Sequence, residues 1–182
     1  MVGLGTCWRG WALAMQGEVE AGLAQLRQGM AAILATGQEM SRPLCLVLLA
    51  EAVGRAGQVE EGLCLLVEAL TALEGSEWGD LLAEAYRLQG TLLLTPAGTR
   101  HKIKGKREAA AEGCFQQALA IARQQQAKSW ELRAAVSLSR LWQQQGMSTA
   151  ARELLAPLYG WFAEGFDTVN LQEAQALLTT LR

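Results

Sequence analysis

The stretch 95–107, TPAGTRHKIKGKR, holds the side chains best suited to chemistry. It contains the single histidine, His101, which could act as a base near neutral pH. Nucleophilic catalysis also needs a nucleophile beside the base and a carboxylate to orient it, and the sequence around His101 offers no evident orienting carboxylate. The order of Gly, Lys and Ser or Thr that cradles phosphates is missing as well. We therefore expect no catalytic residue and interpret His101 as a solvated loop histidine.

Positive charge is concentrated in the same stretch. The basic residues are Arg100, Lys102, Lys104, Lys106 and Arg107. They could form a docking loop for an acidic partner or a phosphate backbone. However, no aromatic residue interleaves with them to stack on bases, which favours a flexible, solubilising insertion. The chain's net charge of −2 supplies no field for nucleic acid or anionic lipid, so nucleic acid is an improbable partner and no membrane partner is expected.

The four cysteines carry no sign of a cofactor site. Cys7, Cys45, Cys64 and Cys114 form no CxxC pair and lack nearby histidines, which predicts no metal, no cofactor and buried free thiols in a reducing compartment. No apolar run approaches the roughly 20 residues that cross a bilayer, and no export signal is recognisable. We therefore expect a cytoplasmic protein.

The elements that position these residues follow from an internal repeat. The segment from Met15 matches the segment from Arg55 at a shift of 40 residues, which pairs Gly17 with Gly57. Nine extra residues in 95–107 interrupt the period, which then resumes at Gly146. Hydrophobic residues at helical spacing flank each of these glycines. The sequence predicts one all-α domain over 1–182, with helical hairpins at about 5–38, 42–75, 79–127 and 129–165 and a capping helix at 169–182.

Two columns of small residues recur within these units. The first helices carry Gly10, Ala50, Gly90 and Ser139, and the second helices carry Gly22, Gly62, Ala111 and Ala151. Small side chains let two helix backbones approach closely, which offsets the roughly 1 kcal/mol cost of a glycine inside a helix. We predict that these columns form the contact between the two helices of each hairpin.

Small residues at helix contacts and larger apolar residues facing the next unit resemble the tetratricopeptide (TPR) family. The resemblance implies an α-solenoid with a right-handed superhelix, in a variety whose 40-residue unit exceeds the usual 34. More narrowly, ARELLAPLYGWFAEGFDTVNLQEAQALL resembles the C-terminal TPR region of bacterial proteins that join an adenylate or guanylate cyclase domain to a predicted ATPase.

The TPR register implies a concave groove along the first helices. It would be lined by Trp11, Glu51, Arg55, Arg87, Arg133, Arg140, Gln143 and Gln144. Arginine holds carboxylates in a bidentate fork, so this groove favours an acidic or C-terminal peptide.

Three hypotheses follow from these observations. The leading one is a non-catalytic scaffold that binds a peptide or partner domain in the groove. The alternative is a regulatory, effector-sensing module of a bacterial ATPase or nucleotide cyclase signalling protein. A third is a homo-oligomer formed through the first hairpin, where Trp8 and Leu13 would be partly open.

Overall fold

The fold was obtained as a computed structural model, which describes residues 2–37, 39–96 and 101–181. Across these three ranges the chain forms nine α-helices and no strand. The helices are α1 (Val2–Met15), α2 (Val19–Ala35), α3 (Arg42–Arg55), α4 (Val59–Leu73), α5 (Leu82–Leu94), α6 (His101–Gln124), α7 (Lys128–Gln144), α8 (Ser148–Gly160) and α9 (Val169–Thr180). The predicted all-α class, with four hairpins and a final helix, is confirmed.

Consecutive helices pack as pairs, and the pairs stack. Helices α1 and α2, α3 and α4, α5 and α6, and α7 and α8 form the four hairpins. Each odd-numbered helix also contacts the next one, so that α1, α3, α5, α7 and α9 form a continuous layer. None of the described helices combines the length and apolar character needed to cross a membrane. The groove side chains expected from the sequence all belong to the odd-numbered layer.

Three tight turns have glycine where the backbone becomes left-handed. Gly17, Gly57 and Gly146 have φ values of 99°, 78° and 81°, which side chains with a Cβ rarely adopt. In each turn the next amide donates a hydrogen bond to the carbonyl five residues earlier, at 3.0, 2.9 and 2.8 Å. This is the Schellman ending of a helix. The turn between α6 and α7 uses Gln126 at φ 56°, a position that no glycine marks in the sequence.

The predicted small-residue columns form the seam of each hairpin. A Cβ on Gly10 would lie 2.7 Å from the carbonyl oxygen of Gly22, and a Cβ on Gly22 would lie 2.6 Å from the carbonyl oxygen of Gly10. In the fourth hairpin the buried Ser139 hydroxyl donates to the Ala151 carbonyl at 3.1 Å. The two backbones are therefore close enough that only small residues fit.

The structure corrects the prediction for the basic stretch. Helix α6 begins at His101, so Lys102, Lys104, Lys106 and Arg107 lie on a helix and not in a loop. Helix α6 has 24 residues against 15 in α4, a difference equal to the nine-residue insertion. Lysine, arginine and alanine are good helix formers, which explains why the insertion lengthens the helix. Arg100 and the side chains of His101, Lys102 and Lys104 lie outside the described residues.

The final helix covers the open side of the fourth hairpin. Leu171, Ala174, Leu177 and Leu181 are buried in the same apolar cluster as Phe115 and Leu155. The predicted capping role of this helix is thus explained by its apolar face.

The prediction of four buried thiols is correct only in part, because Cys7 and Cys45 are buried, Cys114 is half-buried and Cys64 is exposed.

A buried carboxylate joins the third hairpin to the fourth. Glu131, with a side chain only 4% exposed, accepts hydrogen bonds from Arg123 Nε at 2.8 Å and Lys128 Nζ at 2.7 Å. Burial by itself raises the pKa of Glu131, but the two cations outweigh burial and lower the pKa below its ordinary 4.5.

We therefore predict a pH-dependent effect of Glu131→Gln. A lowered folded-state pKa adds stability that is present above pH 4.5 and is lost as the pH falls through the folded pKa. The variant should lose about 2 kcal/mol of unfolding free energy at pH 7, and the loss should shrink below pH 4.5. Urea unfolding at pH 7 and at a pH below 4.5 measures the loss of unfolding free energy. Glu153→Gln, at an exposed position on α8, is the control. An equal loss at pH 7 and in acid would contradict this account.

Candidate functional site

A groove of about 620 Å³ runs along the layer of odd-numbered helices. Residues from α1, α3, α5, α7 and α9 line it, and its walls include both guanidinium groups and apolar side chains. Helix α9 contributes Val169, Asn170 and Glu173, so the capping helix closes one end.

Six of the eight groove residues expected from the sequence line this groove. They are Trp11, Glu51, Arg55, Arg87, Arg133 and Arg140. The other two do not. Gln143 instead donates from Nε2 to the Thr180 hydroxyl at 2.8 Å, and Gln144 is exposed beyond the groove. The capping helix α9 therefore contacts the C-terminal end of α7 and binds Gln143 through this hydrogen bond.

At the N-terminal end, one pair joins two repeats. Trp11 and Glu51 lie 40 residues apart, at equivalent positions of α1 and α3. The Trp11 indole Nε1 donates to Glu51 Oε2 at 2.7 Å, and the Trp11 ring meets the Trp8 ring edge-on with centroids 5.8 Å apart. The Glu51 carboxylate is thus already engaged by the protein.

Behind the groove, a carboxylate that the sequence analysis missed holds two of the lining arginines. Glu84 is buried and accepts two bonds from Arg87, from Nε at 2.8 Å and from a terminal guanidinium nitrogen at 2.7 Å. The same carboxylate pairs with Arg133 at 2.7 Å. Burial lowers the pKa of Arg87, but the hydrogen-bonded charge of Glu84, together with the charges of Glu51 and Glu173, more than offsets this and leaves the pKa raised. Arg87 is therefore charged, and its guanidinium is already bound by Glu84 within the protein.

A signal for Glu84 exists in the sequence. With the nine-residue insertion counted, Glu84 and Arg133 are equivalent positions of successive repeats. Two opposite charges in one column of stacked helices are expected to meet, because neighbouring repeats stack their columns. Burial between α5 and α7 then brings the Glu84 carboxylate against Arg133 as well as Arg87.

Three further features complete the charge pattern. Arg140 pairs with Glu173 of α9 at 3.1 Å, and both side chains are about half-exposed, at 49% and 45%. Arg133 also stacks over the Trp130 ring, 5.1 Å from its centroid. Arg55 is exposed, lines the groove, and has no hydrogen-bond or ion-pair partner among residues 2–37, 39–96 and 101–181. Four guanidinium groups thus line the groove. Buried Glu84 binds two of them from behind and Glu173 pairs with a third, which leaves Arg55 without a partner among the described residues.

The basic stretch lies apart from this groove. Thr95, at the start of the stretch, lines the groove, but none of the described basic side chains does: Lys106 is exposed, and Arg107 donates from Nε to the Leu93 carbonyl at 2.9 Å. In the part of the chain that the structure describes, no three His, Cys, Asp or Glu side chains are grouped so that they could hold a metal ion.

Comparisons with known proteins identify the fold. No protein-family model and no curated protein matches the sequence. Among solved structures, the chain is similar to the nearly identical TPR-like repeats of a kinesin light chain-type protein from Podospora anserina, with a TM-score of 0.67 and 18% identity. A single-substitution variant of the same protein gives a TM-score of 0.68 and 17% identity. Each match covers 97% of this chain and 83% of the other. The chain therefore has the fold of the TPR-like repeat proteins.

Proposed function

We propose that this chain is a non-catalytic protein-interaction module that holds an acidic segment of a peptide or partner domain in its groove. The observation that carries the proposal is Arg55, a guanidinium that lines the groove and lacks a partner among the described residues. Among common protein groups, a carboxylate is the best partner for an unpaired guanidinium, because its two oxygens match the planar pair of N–H donors.

The surroundings of Arg55 favour a single carboxylate flanked by apolar side chains. Leu88 and Leu92 of α5 and Met15 of α1 line the same groove. The remaining guanidinium groups are occupied by Glu84 and Glu173, so they offer little to a second acidic residue. A highly acidic segment would also meet these carboxylates and Glu51. The groove therefore suits a mixed acidic and apolar segment.

We predict that Arg55→Gln weakens binding of such a segment by about tenfold, because a charge-assisted hydrogen bond to a carboxylate contributes about 1.5 kcal/mol or more. The probes are synthetic peptides in which one glutamate stands among leucines and alanines, compared with the same peptides carrying glutamine. Fluorescence anisotropy measures the dissociation constants.

Arg9→Gln is the matched control, since Arg9 is an exposed arginine on α1 that does not line the groove. It should bind the glutamate peptides as the wild type does. Equal binding of glutamate and glutamine peptides, or equal weakening by both arginine variants, would overturn the proposal.

A second candidate function is regulatory sensing of a small anionic effector for an attached ATPase or nucleotide cyclase domain. The groove volume of about 620 Å³ supports it, because small-molecule sites typically enclose about 300–1,000 Å³. A carboxylate metabolite would use the same Arg55. Thermal shifts against carboxylates and nucleotides distinguish the two functions, since an effector that binds the folded state raises its stability and does so more strongly the tighter it binds. Stabilisation that Arg55→Gln removes would favour sensing, and no shift would favour peptide binding.

A further inference from the structure

A second exposed surface lies at the end of α8 and in the connection to α9. The segment 159–166 contains Tyr159, Trp161, Phe162 and Phe166, which we call the aromatic platform. Trp161 is 60% exposed and Phe166 is 44% exposed, although both are large apolar side chains. None of the four lines the groove.

The exposed rings are held in place by half-buried neighbours. Phe166 leans on Tyr159 with ring centroids 5.8 Å apart, and Trp161 meets Phe162 edge-on at 5.1 Å. Tyr159 and Phe162 in turn pack against the core of the fourth hairpin. Rigid, exposed aromatic side chains lose little conformational entropy when a partner covers them, which makes them effective binding groups.

Charge around the platform indicates the chemistry of its partner. Glu164 lies within this segment and Asp167 directly follows it; both are exposed, and neither has an ion-pair or hydrogen-bond partner in the described part of the chain. The ammonium of Lys128 lies 5.9 Å from the centroid of the Trp161 ring. Glu131 holds this ammonium at 2.7 Å, so one face of the indole lies near a cation and a partner's cation would use the part that stays exposed.

We propose that the aromatic platform binds a basic segment of a protein partner. An arginine or lysine of that segment lies over the exposed part of Trp161 or Phe166, and neighbouring cations pair with Glu164 and Asp167. The site is independent of the groove, which bears guanidinium groups and selects the opposite charge.

The test uses a fluorescein-labelled peptide of alternating arginine and glycine, with citrulline in place of arginine as its uncharged counterpart. Fluorescence anisotropy should show tighter binding of the arginine peptide to the wild type. Trp161→Ala with Phe166→Ala should weaken that binding by about tenfold, through loss of cation–π contacts and buried area. Glu164→Gln with Asp167→Asn should weaken it by about threefold and flatten its dependence on salt.

Two controls separate this site from general attraction and from the groove. Glu60→Gln with Glu74→Gln removes the same charge from exposed positions at α4 and should leave binding unchanged. Arg55→Gln should also leave it unchanged, whatever its effect on acidic peptides. Equal binding of arginine and citrulline peptides, or equal effects of the two pairs of amide substitutions, would overturn the proposal. The carboxylate variants retain every platform ring, so they test the site even if the aromatic variant fails to fold.

Discussion

Gly10→Val is expected to lower the free energy of unfolding by about 3 kcal/mol or more, because the new side chain has no space. Its Cβ alone would lie 2.7 Å from the Gly22 carbonyl oxygen and 2.7 Å from the Leu26 amide nitrogen. These are backbone atoms of α2, so they cannot rotate away as a flexible side chain could. The first hairpin would have to open, and urea unfolding followed by circular dichroism measures the loss.

Gly5→Ala is the control on the same helix. Gly5 is exposed and a Cβ there meets nothing within 4 Å, so alanine should stabilise α1 by about 0.5–1 kcal/mol through its higher helix propensity. The two variants should therefore have opposite signs. A stabilisation at both positions would mean that helix propensity, and not the backbone seam, governs this hairpin.

The second large effect is expected for Glu84→Ala, at about 3–5 kcal/mol. Removal of this carboxylate leaves Arg87, whose side chain is 13% exposed, and the partly buried Arg133 without their shared partner. An uncompensated buried charge cannot recover its hydration, so one-sided removal costs more than the pair contributes. Thermal and urea unfolding measure it.

Glu173→Ala provides the comparison. Glu173 of α9 also joins two neighbouring odd-numbered helices, through its ion pair with Arg140 of α7. Both side chains are about half-exposed, and such a pair contributes less than about 1 kcal/mol to stability. Similar losses for the two variants would show that the Glu84 cluster is not the centre of the stacking between α5 and α7. The same reasoning makes Arg55 a better position than Arg87 for binding experiments, since changes at Arg87 disturb the fold.

The hairpins could be predicted because each one is encoded locally. The 40-residue period, the turn glycines Gly17, Gly57 and Gly146, and the small columns all act within a single repeat or between neighbours. The α6–α7 turn was not predictable in this way, because Gln126 has a left-handed conformation that glutamine rarely adopts. The insertion was interpreted as a loop from its charge, although its lysines and arginines are helix formers that extend α6.

The position of the groove could be predicted from the sequence, but the ion pairs among its charged side chains could not. The repeat register placed Trp11, Arg55 and Arg140 on one face, where they lie. It did not show that Glu84 and Glu173 engage the other guanidinium groups, because the partner of a long, flexible side chain depends on three-dimensional neighbours. The aromatic platform has no periodic signal, since much of it belongs to the connection between α8 and α9.

The most direct test of the central claim is the NMR spectrum of the arginine side-chain Nε–Hε groups during titration with a peptide that carries one glutamate among leucines and alanines. The account predicts that the Arg55 signal shifts with the bound fraction, while the Arg9 signal outside the groove stays in place. The corresponding glutamine peptide should leave both signals unchanged. An unchanged Arg55 signal in the presence of bound glutamate peptide would contradict binding in the groove.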